Sequence, residues 1–238
     1  MCIACQPFAL DRRRFLALSA ASFGAAAMFS AGGTALAADT TSVTADEAMA
    51  KLQSGNEKFV STPQLCAADL AAQREKVAKG QTPWATIITC SDSRVPPELL
   101  FGGLGVGELF VARNAGNMVD TATMGTIEYG AEHLGVPLIV VMGHEKCGAV
   151  AAACAVVEKH AKFPGSIGPM VKAIVPAAKA VFGKPGDFVD NAVRESAKRT
   201  AKKVATKSKI VSHLVKAGKV KVVAARYDLD NGRVEYLS

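Results

Sequence analysis

Aromatic residues are scarce, at 6% of 238, with a single Trp and three Tyr. None is interleaved with the basic residues between Arg194 and Lys209, so the stacking platforms that single-stranded nucleic acid requires are missing and a nucleic-acid partner is not expected. Downstream of Ala38 there is no uncharged run long enough to span a bilayer, no repeat of solenoid period and no low-complexity tract. The 21 Gly and 10 Pro are dispersed, half of the residues are apolar and 21% are charged, which excludes a collagen-like fibre and a disordered chain. The length is too great for a disulfide-stapled miniprotein and suits one globular domain with a real core.

The formal charge is +7. Much of it lies in one run, where Arg194, Lys198, Arg199, Lys202, Lys203, Lys207 and Lys209 read as the solvated face of a surface helix. More of it lies near the start, in Asp11-Arg12-Arg13-Arg14-Phe15-Leu16. An Ala-, Ser- and Gly-rich stretch without charge follows up to Ala38, with the small-residue site Ala35-Leu36-Ala37. These parts resemble a twin-arginine export signal. The expectation is a signal peptide over residues 1–37, one domain over 38–238, a periplasmic protein, and only transient membrane contact during export. A retained membrane anchor is the competing reading. Removing the signal takes Cys2 and Cys5 with it and leaves Cys66, Cys90, Cys147 and Cys154. A pairing of Cys66 with Cys154 stays open. Export in the folded state would let a metal cap cysteine ligands before oxidants reach them.

From Thr44 to Lys79 apolar residues recur at helical spacing, with an interruption near Pro63, and predict two amphipathic helices. Trp84–Thr89, Glu108–Ala112 and Pro137–Met142 read as strands, the first and third apolar throughout. Helices are expected over Thr123–Leu134, Cys147–Lys159, Ile167–Ala180 and Phe188–Ala217. The last strands are Val220–Ala225 and Val234–Leu237, with the turn signal Asn231-Gly232 between them. The fold class is α/β: a mainly parallel central sheet flanked by helices, an antiparallel C-terminal edge hairpin and an N-terminal helical arm. In such sheets ligands sit beyond the carboxyl ends of the strands, where strand order reverses. Cys90 and His144 both follow apolar strands at positions of that kind.

Cys90, His144 and Cys147 are a donor set that suits zinc, and three protein ligands leave a tetrahedral ion one open position, the mark of a catalytic site. With His144 and Cys147 three residues apart, both are expected on one face of an incipient helix, whose N-terminus would favour the thiolate of Cys147. A disulfide between Cys90 and Cys147 is the simplest alternative. His133, His160 and His213 show no ligand spacing. A Cys-based phosphatase cradle is excluded, because Cys90 and Arg94 are too close together.

Cys90-Ser-Asp-Ser-Arg94 together with Gly143-His-Glu-Lys-Cys-Gly148 resembles the β-class carbonic anhydrases. The likeness runs on through Val95-Pro-Pro-Glu98, residues 107–117, 127–135 and 227–232. It implies zinc on Cys90, His144 and Cys147, one ion per subunit, and an Asp92–Arg94 dyad. Asp92 is close enough in sequence to take the fourth ligand position in a closed state, and Arg94 has the rigid fork of donors to hold it off. The implied reaction is reversible hydration of carbon dioxide to bicarbonate and a proton by a zinc-bound hydroxide, with Asp92 orienting it or relaying the proton. The resemblance further places Gln81 and the backbone N–H of Gly148 as substrate donors, and Phe110 and Tyr129 as walls of an apolar pocket. Pocket walls come partly from a neighbouring subunit, which implies a homodimer or tetramer, with the N-terminal helices as the arm that wraps the partner. Ile87 stands where some relatives carry a Trp of an inhibitory bicarbonate site, so that regulation is not expected here. Two further readings stay open: a zinc-binding protein with Asp92 as a permanent ligand, and a hydrolase of carbon disulfide or carbonyl sulfide.

Overall fold

The computed structural model describes residues 40–62 and 70–238. The expected signal segment, its cleavage site, the interruption near Pro63 and Cys66 lie outside the described residues. In chain order the elements are α1 (Ala45–Ser61), α2 (Leu70–Val77), β1 (Ala85–Cys90), α3 (Pro97–Leu100), β2 (Leu109–Asn114), α4 (Thr121–Glu132), β3 (Leu138–His144), α5 (Gly148–Lys159), α6 (Ile167–Val181), α7 (Phe188–Lys207), α8 (Lys209–Lys216), β4 (Lys221–Tyr227) and β5 (Val234–Leu237).

The five strands form one sheet in the order β2-β1-β3-β4-β5. The first four are parallel to one another, and β5 closes the edge antiparallel to β4. This is the α/β architecture expected. Its strand order reverses between β1 and β3, the central pair, which makes their carboxyl ends the natural place for a site. Every residue of β1 and β3 is buried, because the sheet is covered on both faces. Leu138, Val140 and Met142 of β3 pack on one side with Ile87, Trp84 and the α1 residues Ala48 and Leu52. Ile139 and Val141 pack on the other with Ile88, Ile127 of α4 and Ala197, Ala201 and Val204 of α7. Alternation between two apolar layers is why these strands read as unbroken apolar runs. The first helix of the N-terminal arm is thus seated on its own chain's sheet. A capping box starts it, with the Thr44 hydroxyl accepting from the Glu47 N–H and the Glu47 carboxylate accepting from the Thr44 N–H.

The elements differ in detail from those expected. The helix expected over Phe188–Ala217 is two: Ser208 leaves helical geometry (φ −74°, ψ 123°), and its hydroxyl accepts the Val211 N–H at 3.0 Å, capping α8. The turn expected at Asn231-Gly232 does join the antiparallel β4 and β5. It spans residues 228–233, is built on the Asp228 carboxylate, which accepts the N–H groups of Asp230 and Asn231, and has Gly232 at φ +75°. The short helix α3, opened by Pro97, had no periodicity long enough to announce it. Strand ends also run further than expected, so that Cys90 and His144 are themselves the last residues of β1 and β3.

Candidate metal centre

Cys90 and His144 are buried at the carboxyl ends of adjacent strands, and Cys147 is the N-cap residue of α5. The helix-face geometry expected for His144 and Cys147 is not what joins them. His144 is in extended backbone, and the chain turns through Lys146 at φ +54° before α5 begins. The Lys146 ammonium ties that turn to Asp230 at 2.9 Å, and the Glu145 carboxylate accepts the Leu229 N–H at 3.2 Å, so the terminal hairpin holds the His–Cys segment.

The donor atoms of Cys90, His144 and Cys147 lie within 4.8 Å of one another. The two sulfurs are 4.0 Å apart and unbonded, which removes the disulfide reading. Two thiolates on a tetrahedral zinc, with Zn–S near 2.3 Å, would stand about 3.8 Å apart. The imidazole is prepared in the same sense. His144 Nδ1 is 2.8 Å from the Glu145 carbonyl, which can only accept, so Nδ1 carries the hydrogen. Nε2 is left with its lone pair, buried and without a hydrogen-bond partner. A bare imidazole nitrogen facing two sulfurs, its other nitrogen pinned by a carbonyl, is how a metal-ligating histidine is oriented. The residues fit a zinc ion.

The Cys147 thiol donates to Cys90, which lowers the Cys90 thiol, and the Gly116 N–H adds a backbone donor at 3.3 Å. Cys147 is raised by the same Cys90 sulfur, and the N–H groups at the start of α5 lower it only partly.

Asp92 and Arg94 form the expected dyad. Arg94 Nε donates to Asp92 Oδ1 at 2.9 Å and Nη2 to Oδ2 at 2.7 Å, a bidentate fork, and the Arg94 N–H adds a third bond. These bonds from Arg94 hold the carboxyl well below the usual carboxylate range. Asp92 Oδ2 is 3.8 Å from His144 Nε2, so the carboxylate stands beside the donor cluster while engaged by Arg94. Gly148 opens α5, where backbone N–H groups have no intrahelical acceptor.

The remaining residues are elsewhere in this chain. Gln81 is exposed ahead of β1. Phe110 pairs with Thr86 near the amino end of β1, and its ring lies 6.2 Å from that of Tyr129, which stacks in turn on His133. Strand rise puts that end of the sheet about 13 Å from Cys90. Within one chain the structure gathers Cys90, His144, Cys147, Asp92, Arg94 and Gly148 at the carboxyl ends of the strands, and leaves Phe110 and Tyr129 towards the amino ends, with Gln81 ahead of β1. Sequence reasoning gave no role to Arg113, which donates to the carbonyls of Cys90 and Asp92. Its only signal was its place in the 107–117 run.

The carbonic anhydrase family model matches residues 85–234, from the start of β1 to the start of β5. The chain is 35% identical over 184 residues to carbonic anhydrase 2 of Mycobacterium tuberculosis, covering 76% of this chain and 87% of the relative. Among solved structures it resembles the Coccomyxa β-carbonic anhydrase in complex with acetazolamide, with a TM-score of 0.61 and 28% identity, covering 83% and 87% of the two chains. It also resembles a tetrameric β-carbonic anhydrase of Sordaria macrospora, with a TM-score of 0.63 and 25% identity, covering 76% and 90%. Sequence and fold agree with the cysteine and histidine cluster at the strand switch point: the chain belongs to the carbonic anhydrase family, in its β class.

Proposed function

We propose that the protein catalyses the zinc-dependent, reversible hydration of carbon dioxide to bicarbonate and a proton. The observation that carries this is the three-donor cluster of Cys90, His144 and Cys147 with Asp92 drawn aside by Arg94, a set that leaves a tetrahedral ion one position for solvent. Bound there, zinc supplies Lewis acidity that lowers the pKa of water from about 15.7 towards about 7. The chain's own residues do the rest. Arg94 keeps the Asp92 carboxylate ionised and oriented, so Oδ2 can accept a hydrogen bond from the water and hold it in place while its proton leaves to solvent. The Gly148 N–H donates to a substrate oxygen as charge develops on it.

The pocket is completed, in this reading, by a second copy of the chain that brings Gln81, Phe110 and Tyr129. Support comes from the edge strand β2, whose apolar residues Leu109, Phe110 and Val111 are only half-buried, and from Tyr129, left 48% exposed. A Sordaria relative is tetrameric, and the assembly proposed here is a homodimer or a tetramer. We further propose export through a twin-arginine signal over residues 1–37 and a periplasmic location. The reading rests on Arg12-Arg13-Arg14 and the small-residue site before Ala38. No helix among the described residues is long and apolar enough to cross a membrane.

Isotope exchange between labelled bicarbonate and water, measured on metal-quantified protein from about pH 6 to about pH 9, tests the activity. Exchange that scales with zinc content is expected, and an inert protein with full zinc overturns the proposal.

A further inference from the structure

We infer that Arg113 is a positioning residue of the metal centre, fixing the Cys90 ligand and the Asp92 carboxylate relative to each other through their main-chain carbonyls. The inference rests on the reading of Cys90, His144 and Cys147 as metal ligands. Cys90 sits where the sheet lets go of the chain. On the β3 side the pairing of β1 ends at Thr89 opposite Met142, so only β2 still holds Cys90, opposite Asn114. The residue just before Asn114 is Arg113. Its Nε donates to the Cys90 carbonyl at 3.0 Å and its Nη2 to the Asp92 carbonyl at 2.7 Å. A guanidinium is planar, and its donors cannot turn independently. One side chain satisfying two carbonyls two residues apart therefore sets the relative placement of the two peptide planes, and with it where the Cys90 sulfur and the Asp92 side chain leave the backbone.

The rest of the β2 terminus works on the same short segment. The Asn114 carbonyl accepts the Ser91 N–H at 3.1 Å. The Asn114 side-chain amide closes the loop after it, accepting from the Met118 N–H at 2.7 Å and donating to the Met118 carbonyl at 2.8 Å. That loop presents the Gly116 N–H to the Cys90 sulfur. Gly116 is at φ +78°, and a Cβ there would stand 2.6 Å from Ile174 Cδ1, so the donor is held against α6 with no room for a side chain. Arg94 grips Asp92 by its carboxylate from one side while Arg113 grips its carbonyl from the other. Without Arg113 the Cys90 carbonyl loses this donor and the Asp92 carbonyl keeps only the Val95 N–H at 3.0 Å, so the segment between sulfur and carboxylate retains the Ser91–Asn114 bond but loses the one group that ties its two ends together.

The test uses the full chain loaded with zinc, or with cobalt(II) in its place. Transfer of zinc to excess chelator is timed, and the thiolate-to-cobalt and d–d bands are recorded. Arg113→Ala is expected to bind metal but release zinc about 10- to 100-fold faster, with displaced cobalt bands. Arg113→Lys, which keeps a cation without the fork, is expected to fall between, and Arg199→Ala, an arginine paired with Glu195 on α7, to match the wild type. A purely structural role would lower the melting temperature and leave the cobalt bands in place. Wild-type bands and a release rate within about twofold in Arg113→Ala overturn the inference. Should that variant fail to fold, the same two readouts on Arg113→Lys and Arg113→Gln decide, and wild-type values in both overturn it. A wild-type chain that takes up neither metal overturns the metal-centre reading itself, an outcome distinct from loaded variants that behave normally.

Discussion

Asp92 illustrates how one carboxylate beside three donors can be kept out of the ligand set: a planar fork on Arg94 satisfies both of its oxygens. Replacing Asp92 by Ala is expected to leave zinc content unchanged, by elemental analysis, while lowering kcat about 100-fold, the scale of losing the group that orients the reacting water. Full turnover with full zinc would remove Asp92 from the mechanism. His144→Ala is expected to do the opposite and strip the metal, because it removes the one nitrogen of the three-donor cluster, which stands buried without a hydrogen-bond partner. At this scale the ligands were legible from residue type and position, two sulfurs and an imidazole at the ends of apolar strands. Arg113 was not, since nothing in its spacing marks an arginine whose partners are backbone carbonyls 21 and 23 residues away.

Among the elements, the break between α7 and α8 shows where helical periodicity misleads. Apolar spacing continues through Lys207–Lys209, but the Ser208 hydroxyl competes for the backbone, accepting the Val211 N–H and donating to Glu128 of α4 at 2.6 Å. Ser208→Ala is expected to cost about 1 kcal/mol, seen as a lower denaturation midpoint. The α1–α3 contact is closer still. A Cβ on Gly55 would lie 2.1 Å from the Phe101 carbonyl oxygen, which is backbone and has no rotamer to yield. Gly55→Ala is therefore expected to destabilise by about 1 to 3 kcal/mol despite its better helix propensity, with α1 displaced from the sheet. A melting temperature equal to wild type would show that α1 is not pinned there.

At the scale of the whole molecule, an ion network ties α7 to the terminal hairpin. Asp190 is bonded to both Arg194 and Arg226, Arg226 also to Asp228, and Arg194 also to Glu235. Burial raises the Asp190 carboxyl, but the two guanidinium groups outweigh it and leave it lowered; Asp228 is lowered chiefly by Arg226. A carboxyl lowered on folding takes up its proton more readily in the unfolded chain. Its stabilisation is thus present above the ordinary carboxylate range and is lost as pH falls through the folded value. The melting-temperature gap between wild type and Asp190→Asn should accordingly be widest near neutrality and narrow below about pH 4. A gap independent of pH would show that the network does not couple folding to protons. Glu235, more than half exposed, adds little.

The sequence by itself determined the layers, the parallel sheet and the identity of the metal donors. Those follow from local pattern: strands buried on both faces are mostly apolar and β-branched, and charged and ligating side chains begin where they end. Which strands lie side by side was decided by tertiary structure alone. Placing β1 against β3 brings sulfurs 57 positions apart to within 4.0 Å, and pairing β2 with β1 sets Phe110 beside Thr86, at the amino end of the strands and away from Cys90. Strand order and side-chain reach depend on packing between distant segments, and no spacing along a chain records them.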